Sequence, residues 1–202
     1  MLGAMPKAVY GLTGGIASGK SSVAAILERL GAVIVDSDVL AREVVEPGTK
    51  GLAAIVRRFG EGVLLPDGGL DRAALGGIVF ADAQARADLN GIVHPLVRRR
   101  AQERVAAAPA DAIVVQVIPL LVETGLQDAF DGVIVVDVPE DVQLARLTAR
   151  DAMSEDEARR RIAAQASREA RLASARWVID NSGGTGRTAK QVKSLWDDLS
   201  RQ

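Results

Sequence analysis

A glycine-rich segment near the start of the chain has residue types and a spacing that suit phosphate. Residues 14–21 read Gly-Gly-Ile-Ala-Ser-Gly-Lys-Ser, which fits G-x-x-x-x-G-K-[ST] at every fixed position. Backbone N–H groups in such a loop face phosphate oxygens, and the dipole of the following helix adds to the attraction. Lys20 would reach the β- and γ-phosphates, and Ser21 would ligate Mg²⁺. We therefore predict a nucleoside triphosphate site formed by Gly15, Ile16, Ala17, Ser18, Gly19, Lys20, Ser21 and Ser22.

A pair of carboxylates follows the next apolar run of the chain. Asp36 and Asp38 stand directly after residues 32–35. The end of a strand beside a phosphate loop opens into the ligand crevice of a doubly wound sheet, so we predict Asp36 as the base that takes a proton from an acceptor hydroxyl. Asp38 would act through Mg²⁺ or a hydrogen bond. The structural alternative is that Asp36 ends the strand and Asp38 N-caps a helix over residues 39–45.

An arginine-rich segment in the second half of the chain is the third chemical feature. Arginine donates two parallel hydrogen bonds to phosphate oxygens, so it suits a flap over a transferring phosphoryl group. Arg146 and Arg150, one helical turn apart, are the favoured candidates. The chain has 20 Arg and 5 Lys, so arginine is also a background preference, and we assign residues 159–161 mainly to a solvated face. The segment extends to Arg168 and Arg171.

The elements that must position these residues follow from hydrophobic periodicity. Short, β-branched, almost wholly apolar runs are typical of strands buried on both faces. A helical stripe from Val23 ends at Gly31, and residues 51–108 show helical stripes without a clear strand. We predict a three-layer α/β fold with a parallel sheet, as one domain of residues 1–202 with a helical insertion at 51–108. The predicted strands are residues 8–12, 32–35, 112–115, 132–136 and 177–179.

Composition narrows the functional classes. A net charge of -1 and a pI of about 5.9 give no overall positive field for nucleic acid or anionic lipid. Cysteine is absent and one histidine is present, which disfavours disulfides and thiolate or histidine metal centres. The longest apolar run, residues 112–122, is shorter than the roughly 20 residues of a membrane span. Because residues 1–7 lack a signal-peptide pattern, we expect a cytoplasmic protein with no nucleic-acid or membrane partner, and Met5 is an alternative start.

Other nucleotide-binding classes are less well matched. No N-K-x-D tetrapeptide, the guanine-reading motif of signalling GTPases, occurs in the chain. Asp137 closes an apolar run, as an acidic residue does in motor and transporter ATPases, but Pro139 follows at once. Asp137 is therefore either a functional carboxylate or the end of a strand before the next helix. A small-molecule kinase needs a base beside the loop and an arginine-bearing flap, and both are predicted here.

Short motifs lie along nearly the whole chain in a fixed order. They are LTGGIASGKS at 12–21, DSDVLAR at 36–42, VVEPG at 44–48, IVHPLV at 92–97, PLLVE at 119–123, RLTARD at 146–151, RIAAQ at 161–165 and DNSG at 180–183. No single motif is specific, but with their joint occurrence in this order the chain resembles the dephospho-coenzyme A kinase family. Many members of that family have Gly where Ala17 stands and Ala where Ser37 stands.

The resemblance implies a P-loop nucleoside-triphosphate hydrolase/kinase fold with a helical substrate-binding insertion and an α-helical lid at 146–172. It implies transfer of the γ-phosphoryl group of ATP to the 3′-hydroxyl of dephospho-coenzyme A, with Mg²⁺ as cofactor. Monomer is the favoured oligomeric state. The resemblance matches Asp36 to the base, Lys20 to the phosphate ligand, Arg146 or Arg150 to the lid arginine, Asn181 to a loop near adenine, and the substrate contacts to Asp38, Arg42, His94, Arg98 and Glu123.

Two alternatives remain open from the residues alone. The first is a kinase for another hydroxyl or phosphate, on a nucleoside or nucleotide, because such an enzyme shares the loop and the arginines. The second is a nucleotide-binding sensor without catalysis, against which the carboxylates beside an intact Lys20 and Ser21 argue. For His94, which precedes Pro95 at an expected helix bend, a packed structural role is the alternative to substrate binding.

Overall fold

A parallel five-stranded sheet organises the chain. The structure is a computed structural model that describes residues 6–201, so the alternative start at Met5 lies outside the described residues. The strands lie in the order β2-β3-β1-β4-β5, and each neighbouring pair is parallel. The five predicted strands and the α/β class are therefore confirmed. The strand bounds are β1 (Ala8–Gly14), β2 (Val33–Asp36), β3 (Ile113–Val117), β4 (Val133–Asp137) and β5 (Trp177–Asp180).

Helices connect the strands, and several begin or end at residues with recognisable caps. Gly31 ends α1 in the left-handed region, at φ 114°, as predicted. The side chains of Asp71 and Ser154 accept backbone N–H bonds at the starts of α4 and α7. Pro139 precedes α6. The helices are α1 (Lys20–Leu30), α2 (Ser37–Glu43), α3 (Lys50–Phe59), α4 (Arg72–Ala81), α5 (Ala83–Ala106), α6 (Glu140–Asp151), α7 (Glu155–Ala163), α8 (Arg168–Ala173) and α9 (Thr185–Arg201), with 3-10 turns at Glu61–Val63 and Gln127–Ala129.

The first compact unit consists of the chain up to Asp36 and from Val105 onward. On one face of its sheet, Ile134 and Val136 pack with Leu27 of α1 and Leu195 of α9 in a buried apolar cluster. On the other face, Val133 and Val135 pack with Leu121 and with Leu172 of α8. Because consecutive residues of β4 enter opposite clusters, residues 133–136 are all apolar. The sheet is therefore covered on both faces, as the sequence predicts.

The second compact unit, Ser37–Arg104, is built mainly from helices around its own core. It begins earlier than residue 51, the predicted start of the helical insertion. The predicted single-domain description, the substrate-binding role of residues 51–108 and the lid at 146–172 stay predictions. The core of this unit includes Val45, Ile55, Val63, Leu75, Val79 and Ala85.

Ion pairs within the second unit join α2 to α5. The carboxylate of Glu43 accepts from Arg100 Nε at 3.2 Å and from Arg104 Nη2 at 3.0 Å. Partial burial tends to raise the pKa of the Glu43 carboxyl, but these hydrogen bonds outweigh it and hold the pKa below its usual value. Pro95 lies inside α5, where it removes the N–H that would bond to the carbonyl of Gly91.

No helix within residues 6–201 is both long enough and apolar enough to cross a membrane.

We predict that Gly51→Ala destabilises the second unit. A Cβ on Gly51 would lie 2.0 Å from the backbone oxygen of Val44, so α3 must move away from the turn that follows α2. We expect the free energy of unfolding to fall by about 2 kcal/mol in urea denaturation. Gly62→Ala is the matched control, because its added Cβ meets no heavy atom within 4 Å and its change stays within about 0.5 kcal/mol. Equal effects of the two substitutions would contradict this account.

Candidate active site

The phosphate loop joins β1 to α1 at the carboxyl edge of the sheet. Gly14 is the last residue of β1, and α1 begins at Lys20. The Lys20 ammonium lies across the loop and donates to the backbone oxygen of Gly14 at 2.8 Å and to that of Gly15 at 3.0 Å. Ser21 and Ser22 lie in the first turn of α1 with exposed side chains. The strand-loop-helix context that the motif requires is thus present.

Three side-chain amides from other elements hold the backbone of this loop. Gln143 of α6 donates from Nε2 to the oxygen of Ile16 at 2.8 Å. Gln165, which follows α7, accepts from the backbone N–H of Ile16 at Oε1 over 2.7 Å. Asn181, which follows β5, donates from Nδ2 to the oxygen of Ser18 at 2.7 Å. Sequence reasoning assigned no role to the two glutamines, because a lone amide on a helix or loop carries no local signal of its partner.

Asn181 is itself held in place, and Arg146 takes part. The Asn181 Oδ1 accepts from Thr188 Oγ1 at 2.7 Å, which orients the amide toward the loop. The Arg146 guanidinium donates from Nη2 to the backbone oxygen of Asn181 at 2.8 Å. The structure thus brings these two predicted residues together beside the loop. Neither the adenine contact of Asn181 nor the phosphate contact of Arg146 is tested by this geometry.

Gly15 occupies a position with no space for a side chain. A Cβ there would lie 2.1 Å from Gln143 Nε2 and 2.9 Å from Arg171 Nη2. Gln143 is almost completely buried and bonded to Ile16, so its amide is not free to give way. Glycine therefore lets the loop approach both side chains closely.

Ala17 adopts a left-handed backbone conformation, which glycine adopts more readily than other residues. Its φ is 57°, and a residue with a Cβ adopts this conformation at a cost of roughly 1–2 kcal/mol. The alanine therefore introduces local strain into the loop.

Asp36 lies at the same edge of the sheet as the loop, at the end of a strand that is not adjacent to β1. Asp36 pairs with Val117 of β3, and Val117 pairs with Leu12 of β1, so the three residues form one row across the strands. β3 lies between β2 and β1, and the role of Asp36 as the base stays a prediction. Two strand spacings of about 4.8 Å place the backbone of Asp36 roughly 10 Å from β1.

Asp137 is a buried carboxylate at the end of β4. The Arg168 guanidinium binds it with both arms, Nε to Oδ1 at 2.9 Å and Nη2 to Oδ2 at 2.6 Å. Hydrogen bonding to Asp137 raises the pKa of Arg168. The sequence leaves two interpretations of Asp137, a functional carboxylate or the end of a strand before the next helix. It is the last residue of β4, and α6 starts at Glu140, after Pro139. The carboxylate instead anchors α8 to the sheet edge.

Two other predicted residues of this unit, Arg150 and Glu123, bond to groups outside the phosphate loop. Arg150 is exposed and its guanidinium pairs with the neighbouring Asp151, Nε to Oδ1 at 2.7 Å. Glu123 accepts at Oε1 from the backbone N–H of Ala166 at 2.9 Å. Glu123 thus contacts the segment that leads into α8.

The remaining predicted substrate contacts belong to the second unit. Asp38, Arg42, His94 and Arg98 are all exposed. Because α2 begins at Ser37, Asp38 lies in its first turn, and the alternative that Asp38 N-caps a helix over residues 39–45 is wrong. The substrate-binding roles of these four residues stay predictions.

The residues present fit a magnesium ion that is held mainly by nucleotide. The part of the chain that the structure describes contains no group of three or more acidic or histidine side chains suited to a metal. Mg²⁺ in phosphoryl-transfer sites needs only one or two protein oxygens, with phosphates and water as its other ligands. An exposed hydroxyl at the start of α1, that of Ser21, is such an oxygen.

Comparison with known proteins points to one family. Residues 8–186 match the family model described as "CoaE: Dephospho-CoA kinase". The protein named dephospho-CoA kinase in Thermobifida fusca is 55% identical over 192 residues, which cover 95% of this chain and 96% of that protein. The one in Streptomyces avermitilis is 53% identical over 189 residues, which cover 94% of this chain and 92% of that protein.

Solved structures share the fold. The crystal structure of TT1252 from Thermus thermophilus aligns with a TM-score of 0.82 at 34% identity, covering 96% of this chain and 98% of that one. Dephospho-CoA kinase from Campylobacter jejuni aligns with a TM-score of 0.73 at 27% identity, covering 96% and 97%. Shikimate kinase from Acinetobacter baumannii, at 18% identity and a TM-score of 0.53, covers 96% and 94% and shares the fold. The predicted P-loop kinase fold is confirmed.

We predict that Ala17→Gly does not destabilise the protein. Glycine removes the left-handed strain but increases the entropy of the unfolded chain, so we expect the free energy of unfolding to stay level or rise by up to about 1 kcal/mol. The matched control is Ala25→Gly inside α1, which should lower that free energy by about 1 kcal/mol. Urea denaturation measures both. A loss at residue 17 as large as that at residue 25 would show that φ at Ala17 stores no strain.

Proposed function

The chain belongs to the dephospho-CoA kinase family. On that premise we propose which of its residues act in the transfer of the γ-phosphoryl group of ATP to the 3′-hydroxyl of dephospho-CoA. The observation that supports the assignment is the placement of the phosphate loop and Asp36 at one edge of the sheet, two strands apart. Donor and acceptor of a phosphoryl group need separate binding positions that meet at the phosphorus atom.

The loop and Lys20 form the donor position. Backbone N–H groups of residues 15–21 surround the phosphates, and Lys20 leaves the oxygens of Gly14 and Gly15 to bind the β- and γ-phosphates. Ser21 would supply a hydroxyl ligand to Mg²⁺, which would offset the negative charge of the phosphates. The Lys20 ammonium already lies against the loop backbone in the structure, which supports its assignment to the donor position.

Asp36 forms the acceptor position. A carboxylate at the end of β2, roughly 10 Å from the strand that carries the loop, leaves space for a phosphoryl group and an acceptor hydroxyl between them. Asp36 orients that hydroxyl and takes its proton as the new bond to phosphorus forms. Asp38, Arg42, His94 and Arg98 are proposed to bind the coenzyme substrate, together with Glu123.

Residues 146–172 form the proposed lid, with Arg146 and Arg150 as its predicted catalytic arginines. A closed lid excludes water, which otherwise competes with the ribose hydroxyl for the phosphoryl group. Asn181 is proposed to lie against the adenine ring. We further propose that the enzyme acts as a monomer in the cytoplasm, where ATP is available.

An acceptor panel tests the substrate assignment. The protein is incubated with ATP and Mg²⁺ and with dephospho-CoA, nucleosides or nucleoside monophosphates, and both ADP release and phosphorylated product are measured. We expect phosphorylated product with dephospho-CoA at a rate far above the ADP release without acceptor. Preferential phosphorylation of a nucleoside or nucleotide would support a different kinase, and nucleotide binding without turnover would support a sensor.

We predict that Lys20→Ala and Asp36→Asn each lower phosphoryl transfer at least about 100-fold while the protein stays folded. The first removes the cation at the β- and γ-phosphates, and the second removes the proton acceptor. Matched controls are Lys193→Ala and Asp197→Asn, exposed positions on α9 that should retain the wild-type rate. Near-normal turnover of Asp36→Asn with ATP and dephospho-CoA would show that Asp36 is not the base.

A further inference from the structure

Arg171 of α8 is a buried arginine with unusually few partners. Its relative exposure is 6%. Its Nη1 donates to the backbone oxygen of Ala166 at 2.5 Å. Within residues 6–201, no carboxylate lies within 4 Å of its guanidinium, whereas Arg168, one turn earlier, is paired with Asp137 through two hydrogen bonds. Arg171 is thus a buried cation without a direct counter-ion.

A buried charge of this kind is costly to the fold. Burial lowers the pKa of Arg171, yet a guanidinium stays protonated because its ordinary pKa is far above neutrality. Glu123 and Asp137 attract it only from a greater distance, and Arg168 repels it. Buried charges are normally paired, so an unpaired one beside a ligand site points to an anion that completes the pair.

The position of Arg171 identifies that anion. Its Nη2 lies 2.9 Å from the point that a Cβ of Gly15 would occupy. The Lys20 ammonium contacts the oxygen of the same glycine at 3.0 Å. Two cations therefore meet at Gly15, and Lys20 is the one that binds the β- and γ-phosphates in loops of this kind. In a bound nucleotide, the γ-phosphate end would therefore be the anion nearest to both.

The two arginines favoured from sequence are engaged elsewhere. Arg146 donates to the backbone oxygen of Asn181, and Arg150 is exposed and paired with Asp151. Arginines on the outer face of the lid, such as Arg159 with Glu155, form ion pairs one helical turn apart. Arg171 differs from all of these in combining burial, a missing counter-ion and contact distance to the loop.

We propose that Arg171 is a further catalytic residue of this kinase, whose guanidinium binds the γ-phosphate oxygens of ATP and stabilises them during transfer. The proposal rests on the function proposed above. The bond between the γ-phosphorus and the β–γ bridging oxygen breaks, the bond to the 3′-oxygen forms, and the proton of the 3′-hydroxyl goes to Asp36. Arg171 forms no covalent bond and contributes charge and two hydrogen-bond donors.

The test compares Arg171→Met with Arg201→Met. Both remove one arginine charge, but Arg201 is exposed on α9 and pairs with Asp198 on its own helix. We measure kcat and KM for ATP with dephospho-CoA, the Kd values of ATP and ADP without acceptor, and the Tm. For Arg171→Met we expect kcat/KM for ATP to fall at least about 100-fold and ATP binding to weaken about tenfold, with ADP binding within about twofold of wild type.

The Tm separates this role from a structural one. Removal of an unpaired buried charge should leave the Tm of Arg171→Met unchanged or raised. Arg201→Met should match the wild type in every measurement. Equal weakening of ATP and ADP, or a lowered Tm with unchanged turnover per folded molecule, would overturn the proposal.

Arg171→Lys provides a second variant if methionine prevents folding. Lysine keeps the charge but cannot form the two parallel hydrogen bonds, so it should fold and show part of the loss in ATP binding and turnover. Full wild-type discrimination between ATP and ADP in this variant would overturn the proposal. The Kd measurements for ATP and ADP need no acceptor, so they test Arg171 independently of the substrate. Failure of the wild type to phosphorylate dephospho-CoA would refute only the proposed function.

Discussion

The structure depends on the backbone of the phosphate loop keeping one shape. An anion site made of backbone N–H groups works only if that backbone keeps its geometry, so groups outside the loop must help to fix it. Here Gln143, Gln165 and Asn181 fix it through hydrogen bonds to Ile16 and Ser18. These amides come from α6, from the turn after α7 and from the end of β5, so distant parts of the chain converge on one short segment.

Charged side chains near this loop include one ion pair, Asp137 with Arg168, and two cations at Gly15. Asp137 is held by Arg168 with two hydrogen bonds and is thereby neutralised. Arg171 and Lys20 both approach Gly15. Two cations therefore meet at the loop although the chain as a whole carries a net charge of -1. A local excess of cations is what an enzyme for a tetra-anionic nucleotide needs, and overall charge does not reveal it.

Much of the fold was predictable because local rules determine it. The five strands follow from short apolar runs, and Gly31, Asp71 and Ser154 mark helix ends by their own backbone or side-chain chemistry. Strand order was not predictable in the same way. The insertion of β3 between β1 and β2 depends on a crossover through Ser37–Arg104, and nothing in the residues near Asp36 signals it.

The residues of the candidate site were likewise predictable only where they carry a local sequence signal. The loop has a sequence signature, and the predicted Lys20 and Asp36 lie at the expected edge of the sheet. Gln143 and Gln165 were missed, and Arg171 was not favoured over Arg146 and Arg150, because burial and partners far along the chain are what distinguish these three residues. In the sequence, Arg171 is one of many arginines, and only packing distinguishes it from those at 159–161.

The bond between Ile16 and Gln165 has a consequence for the timing of events at the loop. A backbone N–H makes one strong hydrogen bond, and that of Ile16 is given to the Gln165 amide in the structure. A phosphate oxygen that takes this donor must displace the glutamine. Nucleotide and the segment after α7 then compete for a single N–H donor. Nucleotide bound through this donor and Gln165 in its present position therefore exclude each other.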